Sequence, residues 1–218
     1  MEAPVRLVDA FLPPILDGAS RDFGEGSVSE VVAGGEEACG LLLKALTGIR
    51  PLAEGKVALL GQDPAELSRE ELCALRFRVG VFHRGGGLIS NLKVVENVAL
   101  PLLYHSSESA DGIAERAIAS LERAGYRGNL FELPGRLSTF QRAAAGFARV
   151  LATDPEVVIY DRLTSDLHDE EKETLLRAAF AFHREKPGRT TIFLASRPGS
   201  IVREEPGTVV HLTKGRFA

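Results

Sequence analysis

The chain has 218 residues, of which 44% are hydrophobic and 26% are charged. This balance is typical of a globular protein with a buried core, and it excludes a disordered, collagenous or coiled-coil chain. Lys and Arg total 26 against 30 Asp and Glu, so the net charge is −4. A mildly acidic chain argues against a protein that binds nucleic acid over its whole surface.

The N-terminal segment is interrupted by Glu2, Arg6 and Asp9 and precedes no small-residue cleavage site, so we expect no signal peptide and a cytosolic protein. No apolar run in the sequence reaches the roughly 18 residues that a membrane helix requires. The two cysteines, Cys39 and Cys73, form no CxxC or Cys/His cluster. We expect both to be small residues in or near the core.

Short apolar strands alternate with longer amphipathic segments, which predicts an α/β fold with a mostly parallel sheet. Runs that are nearly all apolar, such as 156–160 (EVVIY) and 190–195 (TTIFLA), are typical of strands covered on both faces. A mainly helical block over about 63–138 interrupts the alternation, and the glycines at 85–87 predict a flexible loop. The predicted strands are 29–33, 56–60, 79–82, 156–160, 190–195 and 208–212, and the predicted helices are 36–46, 70–78, 93–103, 111–124, 139–152 and 169–185.

The first predicted strand, a Gly-rich turn and a helix together form the setting of a phosphate-binding loop. In such a loop the glycines let backbone N–H groups surround the phosphates, a Lys reaches the β and γ phosphates, and a Ser or Thr binds Mg²⁺. Residues 33–41 read AGGEEACGL and contain neither that Lys nor that hydroxyl. The strand, turn and helix of a phosphate-binding loop are therefore predicted, but the Lys and the hydroxyl that bind phosphate and Mg²⁺ are missing.

Three longer segments resemble, in order and spacing, the nucleotide-binding subunits of ABC transporters. Residues 41–64 resemble the stretch after the Walker A motif, 88–105 the stretch after the Q-loop, and 137–168 the signature helix, Walker B motif and D-loop. The resemblance implies a P-loop NTPase-like ABC ATPase fold, with a mostly parallel core sheet, an N-terminal antiparallel β part and a helical subdomain. It implies one domain over 1–218, with the helical subdomain at about 83–140.

The same resemblance implies ligands, partners and a location. ATP and Mg²⁺ are the family's ligands, although the altered motifs make their binding here doubtful. The partners are a membrane permease and a second nucleotide-binding subunit, either a second copy or a sister chain, and no nucleic acid is involved. The location is peripheral, on the cytoplasmic face of the inner (cell) membrane.

Several positions depart from the family's nucleotide-binding motifs. Cys39 stands where the family has its phosphate-binding Lys, and Gly40 stands where it has the Mg²⁺-binding Ser. Glu36 and Glu37 add negative charge where a triphosphate would lie, and His83 replaces the Gln of the Q-loop. By resemblance, the degenerate nucleotide site comprises Gly34, Gly35, Ala38, Cys39, Gly40, Leu41, His83, Ser138, Gln141 and Asp161.

The catalytic positions depart as well. Arg162 and Ser196 occupy the positions of the family's catalytic Glu and switch His, so we assign no catalytic residue with the usual chemistry. Asp161 is kept and is the one candidate metal ligand. In the signature, Thr139 and Phe140 replace two glycines, and we expect both to crowd the approach of the partner's nucleotide.

These losses predict a hydrolysis-deficient subunit. Charge-assisted hydrogen bonds are worth roughly 1.5–3 kcal/mol each, so the missing Lys and hydroxyl lower nucleotide affinity by about 10³-fold. A general base contributes about 10²–10⁴ in rate, and Arg162 cannot act as one because its guanidinium stays protonated. We lean towards a non-enzymatic member of the family.

Simpler structural explanations of the same residues stay open. Asp161 fits a strand-end Asp without a metal, and Ser138 fits a plain helix cap. Glu36 and Glu37 fit the first turn of a helix, where acidic groups favour the helix dipole. Arg162 fits a salt bridge to Asp161 or to either Glu, which would fill the empty site.

Three functions compete at this stage. The first is an inactive subunit paired with an active sister, and the second is a scaffold that uses no ATP. The third is an active or weakly active ATPase in which Lys44 or a partner's Lys serves the phosphate. Separately, the resemblance makes Phe11 a candidate for the aromatic residue that stacks on adenine. By the resemblance, the membrane permease docks near residues 84–103. The sequence of 88–102 resembles the MCE/Mla-type lipid-transport branch of the family, although lipoprotein export and cell-division systems share much of this segment.

Overall fold

The computed structural model describes residues 2–199 and 207–218, which form two β-sheets and six α-helices. The predicted elements lie within two residues of the observed ones, the usual scatter at element ends. No helix in the described ranges is long and apolar enough to cross a membrane. The strands are β1 (Val5–Leu12), β2 (Leu16–Phe23), β3 (Val28–Val32), β4 (Glu54–Leu59), β5 (Val79–Phe82), β6 (Val157–Asp161), β7 (Thr190–Ala195), β8 (Thr208–Thr213) and β9 (Arg216–Phe217). The helices are α1 (Glu36–Leu46), α2 (Arg69–Phe77), α3 (Val94–His105), α4 (Ala110–Arg123), α5 (Thr139–Thr153) and α6 (Asp169–Arg184).

The smaller sheet is antiparallel, with strand order β2-β1-β4. The prediction of individual strands from the sequence missed β1 and β2, although the family resemblance implied an N-terminal antiparallel part. In β1 a bulge at Asp9, whose φ is +46°, shifts the pairing register and breaks the apolar alternation that marks a strand. In β2 the buried residues Leu16, Ala19 and Phe23 are spaced by three and four positions, which does not match the strand period of two.

The larger sheet has the order β5-β6-β7-β3-β8-β9. The pairs from β5 to β8 are parallel, and only the β8–β9 pair is antiparallel. The predicted mostly parallel core sheet is therefore confirmed. The predicted strand at 56–60 belongs to the antiparallel sheet instead, as β4.

Two apolar cores cover the two faces of the parallel sheet. Successive residues of a strand point to opposite faces, so Val157 and Ile159 of β6 pack in one core while Val158 and Tyr160 pack in the other. The first core includes the buried face of α1, and the second includes residues of α3 to α6. Both faces of β6 are thus dry, as its continuous apolar sequence predicts.

The helices α3, α4 and α5 pack against one another and account for the helical interruption seen in the sequence. The domain boundaries, a single domain over 1–218 with a helical subdomain at 83–140, stay a prediction. The expectation for the cysteines is half right. Cys39 is buried on α1, but Cys73 is exposed, because α2 buries only Leu75.

Candidate functional site

The carboxyl ends of β3, β5, β6 and β7 meet at one edge of the parallel sheet, where open α/β folds place their ligands. The segments that follow these strands carry most of the candidate residues. Several of these segments border a cavity of about 590 Å³. Its lining includes Gly34, Gly35, Glu36, Arg162, Thr164, Ser165, Asp166, Lys172, Ser196 and Arg197.

The turn between β3 and α1 keeps the shape of a loop that approaches a ligand closely. Gly34 has φ +74°, a conformation that favours glycine. Added Cβ atoms at Gly34, Gly35 and Gly40 would meet no heavy atom within 4 Å, so the turn is open. No side chain caps the start of α1, and Glu36 and Glu37 lie in its first turn, as the dipole argument anticipates.

Cys39 lies on the buried side of α1, with Ala38 and Leu41 partly buried against the same core. Burial raises the pKa of the Cys39 thiol to about 11, and the negative charge of Asp161 adds to the effect. The thiol is therefore neutral at pH 7 and offers a phosphate neither a positive charge nor a strong donor. Lys44 is exposed in the last turn of α1 and lies outside the described lining of the cavity.

Arg162 and Asp161 form a buried pair at the end of β6. The Nε of Arg162 donates to Oδ1 of Asp161 at 2.8 Å, and Nη2 donates to Oδ2 at 3.3 Å. Asp161 raises the pKa of the guanidinium, which stays protonated at any working pH. Arg162 has φ +50°, and its backbone N–H donates to Leu194 O at 3.0 Å. The predicted pairing of Arg162 with Asp161 is confirmed.

Glu36 joins this pair to a second arginine. Its Oε2 lies 3.1 Å from Nη1 of Arg162 and 2.7 Å from Nη1 of Arg84, while Nη2 of Arg84 lies 2.8 Å from Oδ2 of Asp166. The Arg162 contact is an ion pair without hydrogen-bond geometry. We call Glu36, Arg84, Asp161, Arg162 and Asp166 the Glu36 network; it holds three carboxylates and two guanidiniums.

The donor set around Asp161 does not fit Mg²⁺. A magnesium ion takes carboxylate and other oxygen ligands, but both oxygens of Asp161 already accept bonds from Arg162. Gly40 has no hydroxyl to serve as a second ligand. Among the described residues, no group of three or more His, Cys, Asp or Glu side chains is arranged to hold a metal.

The glycines at 85–87 follow Arg84 in a turn of which Gly86 is buried against α5, and the flexibility predicted for this loop stays a prediction. An added Cβ at Gly86 would lie 2.1 Å from Arg142 O, and one at Gly146 would lie 2.3 Å from the Cα of Gly86. Arg149 donates to the carbonyl oxygens of Gly87 and Gly86 at 3.0 and 3.2 Å. The loop is therefore packed tightly against α5, and this packing fixes the position of the segment that follows β5.

His83 precedes this loop and is exposed. Partial desolvation, with a smaller contribution from Arg149, holds the pKa of its imidazole below the usual range. The ring is accordingly neutral at pH 7. Ser196, which follows β7, lines the cavity beside Arg197.

The signature residues lie apart from this cavity, at the start of α5. Ser138 Oγ accepts a bond from Gln141 N–H at 3.2 Å, and Gln141 Oε1 accepts one from Ser138 N–H at 2.9 Å. This is a capping box, so the helix-cap explanation of Ser138 is confirmed. Phe140 is half-buried against the core, near Gly125. The predicted crowding of a partner's nucleotide by Thr139 and Phe140 stays a prediction.

Two members of the Glu36 network, Arg84 and Asp166, were not among the predicted site residues, although Asp166 lies in the segment that resembles the D-loop. Each is a charged residue a few positions after a predicted parallel strand, which is the signal that would have found them. Phe11 lies on β1 opposite Glu54 and is partly buried, and its suggested stacking on adenine stays a prediction.

Comparisons with known proteins agree with this fold. A family profile described as ABC transporter matches residues 26–165. The methionine import ATP-binding protein MetN of Caulobacter vibrioides is 32% identical over 203 residues, which is 93% of this chain and 60% of that protein. The cell division ATP-binding protein FtsE of Haemophilus influenzae is 28% identical over 202 residues, which is 93% of this chain and 91% of that protein. The chain thus spans 60% of the length of this MetN relative.

Solved structures show the same architecture. The dimeric structure of MJ0796, a bacterial ABC transporter cassette, matches with a TM-score of 0.85 at 22% identity, over 98% of this chain and 96% of that one. The structure of cbiO1 from Clostridium perfringens, part of the ABC transporter complex cbiONQ, matches with a TM-score of 0.82 at 20% identity, over 100% and 88% of the two chains. At these identities the likeness shows the fold. Since the family profile covers more than half of the sequence, the chain belongs to the ABC transporter ATP-binding family.

Proposed function

We propose that this chain is a nucleotide-binding-type subunit of an ABC transporter that does not hydrolyse ATP. The bidentate pairing of Arg162 with Asp161 carries the proposal. By the family resemblance Arg162 stands where the general base would be, and the pairing engages the one candidate metal ligand. Cys39 and Gly40 remove the phosphate-binding charge and the second metal ligand from the same site.

The missing groups are expected to weaken both turnover and nucleotide binding. Without a general base the rate falls by about 10²–10⁴, and the absence of a fitting metal site removes further stabilisation of transferring charge. The lost charge-assisted bonds lower nucleotide affinity by about 10³-fold. The remaining phosphate-facing elements are the open Gly34–Gly35 turn and the start of α1, which offer backbone N–H groups alone.

The partners belong to the same proposal. A membrane permease and a second nucleotide-binding subunit, either a copy of this chain or a sister, fit a member of this family on the cytoplasmic face of the cell membrane. MJ0796 is dimeric in its solved structure, and cbiO1 is part of the ABC transporter complex cbiONQ, which supports such assembly. Lipid transport is the substrate class we propose, on the likeness of 88–102 to the MCE/Mla-type branch. The named relatives serve methionine import and cell division, so the substrate needs a test of its own.

Calorimetry with Mg-ATP up to millimolar concentration, combined with a phosphate-release assay on the purified chain, tests the loss of activity. We expect no turnover above that of an Asp161→Asn variant, which serves as the control for contaminating ATPases. Turnover in the wild type that disappears in the control would overturn the proposal. Micromolar binding without turnover would leave the loss of hydrolysis standing and replace loss of binding with nucleotide sensing.

Co-purification from membranes tests the partners. We expect an ABC permease to be retained with the tagged chain in mild detergent, and its lipid content to be enriched if lipid is the cargo. Recovery of the chain without any ABC permease would contradict the transporter role, and a permease complex that stimulates no lipid movement would contradict the lipid assignment alone.

A further inference from the structure

The carboxylate of Glu36 is bound as an external anion would be. It lies in the first turn of α1, directly after the open Gly34–Gly35 turn. One oxygen, Oε2, is within 2.7 Å of a guanidinium nitrogen of Arg84 and within 3.1 Å of one of Arg162. Two cations from two distant segments therefore converge on a single acidic oxygen.

We propose that Glu36 is an intramolecular plug: its carboxylate occupies the anion position between Arg84 and Arg162 and keeps phosphate groups out of the cleft. The inference rests on the proposed function, because it concerns the same site, and it adds a cause for the loss of phosphate binding. The residues Cys39 and Gly40 provide no attraction for phosphate, whereas the Glu36 carboxylate occupies the position between the two arginines that a phosphate would take.

Charge balance explains why the plug excludes anions. The Glu36 network carries one net negative charge with all five groups ionised. An incoming phosphate must displace a tethered carboxylate, whose effective concentration at the two arginines is far higher than that of a free ligand. Without Glu36 the network is neutral, and each guanidinium loses one of its two acidic neighbours.

The room for an anion is already present. The cavity of about 590 Å³ is bordered by Gly34, Gly35 and Arg162, and Lys172 adds a further cation to its lining. The outer part of the plug is partly solvated, since the Glu36 side chain is 59% exposed. Removal of the carboxylate therefore opens the arginines to solvent and leaves no sealed void, so the variants should fold.

Glu36 also links the segments that follow three different strands. Glu36 belongs to the segment after β3, Arg84 to the segment after β5, and Arg162 to the segment after β6. One carboxylate thus joins three strand ends across 48 and 126 positions of sequence, and it does so without any bound ligand.

The test compares wild type with Glu36→Gln, Glu36→Ala and the matched control Glu37→Ala, which removes the same charge from the next residue of the same helical turn. The probes are pyrophosphate and inorganic phosphate, measured by calorimetry and by ligand-dependent shifts in melting temperature. We expect both Glu36 variants to bind pyrophosphate at least tenfold more tightly than wild type and Glu37→Ala. A double variant, Glu36→Ala with Arg84→Ala, should lose the gain.

Equal pyrophosphate affinity in wild type, Glu36→Gln and Glu37→Ala would overturn the plug, and so would an equal gain from Glu37→Ala, which would reflect helix charge alone. Persistence of the gain in the double variant would also overturn it. These outcomes differ from failure of the proposed function, which would appear as ATP turnover by the wild type. If the wild type is inactive and the Glu36 variants gain nothing, the plug alone is wrong.

Discussion

The guanidinium of Arg162, at the end of β6, is held between Asp161 and Glu36. The side chains of Arg162 and Asp161 are only 10% and 8% exposed, so this pair is shielded from solvent. The pairs made by Arg84 are more exposed and screened by water and salt. The two halves of the Glu36 network therefore differ in strength.

Arg162→Glu should destabilise the protein by about 3 kcal/mol, because Asp161 loses its buried partner and gains a like charge beside it. Arg84→Ala should cost less than about 1 kcal/mol, since its pairs are partly solvated. Urea unfolding followed by circular dichroism measures both. Equal costs for the two variants would contradict the difference between the buried and the solvated half.

Cys39 and Cys73 should differ sharply towards a thiol reagent at pH 7.5. The pKa of Cys39 is raised to about 11 by burial, and its sulfur is fully buried, whereas Cys73 is exposed. We expect one fast-reacting thiol in the native chain and two in denaturant, with Cys73→Ser as the variant that removes the fast one. Rapid labelling of Cys39 under native conditions would show that α1 opens locally.

The same shift predicts a stability change at alkaline pH. The folded thiol keeps its proton up to about pH 11, while the unfolded thiol loses it near its ordinary value of 9.0. The folded state therefore binds more protons in this window, and the free energy of unfolding should fall as pH rises from about 9 to 11. A Cys39→Ala variant should show a smaller fall than Cys73→Ser in denaturant titrations at pH 8, 9 and 10.

At the scale of elements, two helical glycines should respond in opposite ways to alanine. Gly146 of α5 touches the backbone of Gly86, and an added Cβ would lie 2.3 Å from its Cα, whereas Gly40 of α1 has no neighbour within 4 Å. We expect Gly40→Ala to be neutral or to stabilise by up to about 1 kcal/mol through helix propensity. Gly146→Ala should destabilise by more than that amount, because the helix must move away from the loop.

Thermal unfolding of both variants measures this contrast. The displaced loop carries Arg84, so Gly146→Ala should also weaken the contact between Arg84 and Glu36. Stabilisation by both alanines would show that the loop yields without cost.

At the scale of the whole molecule, restoring the phosphate loop alone should not restore turnover. Gly40→Ser fits the open space on α1, and Cys39→Lys returns the missing charge, but Asp161 stays bonded to Arg162 and Glu36 stays between its arginines. We expect the Cys39→Lys, Gly40→Ser variant to release no more phosphate from ATP than its Asp161→Asn derivative. Turnover in the double variant would place the defect in the loop alone.

Local sequence determined the elements and the fold class of this protein. The apolar runs of β6 and β7, the helix stop at Gly48 and the cap at Ser138 depend on neighbours a few positions away, so their ranges were predictable. The mostly parallel core sheet followed from that alternation, whereas the place of β4 in the antiparallel sheet did not. The two missed strands needed knowledge of the bulge at Asp9 and of pairing with distant β4.

Tertiary structure alone showed that Arg84 and Asp166 join the ion pairs that the sequence suggested for Arg162. Arg84 meets Glu36 across 48 positions and Asp166 across 82, and no local pattern links such residues. The parallel sheet brings the ends of β3, β5 and β6 to one edge. Gly86 packs against Gly146, and this contact holds the loop that carries Arg84 near that edge. The sequence by itself determined which charged residues are available, because residue type is read at each position. The ion-pair network that joins them depends on distances between residues far apart in the sequence, and only the folded chain sets those distances.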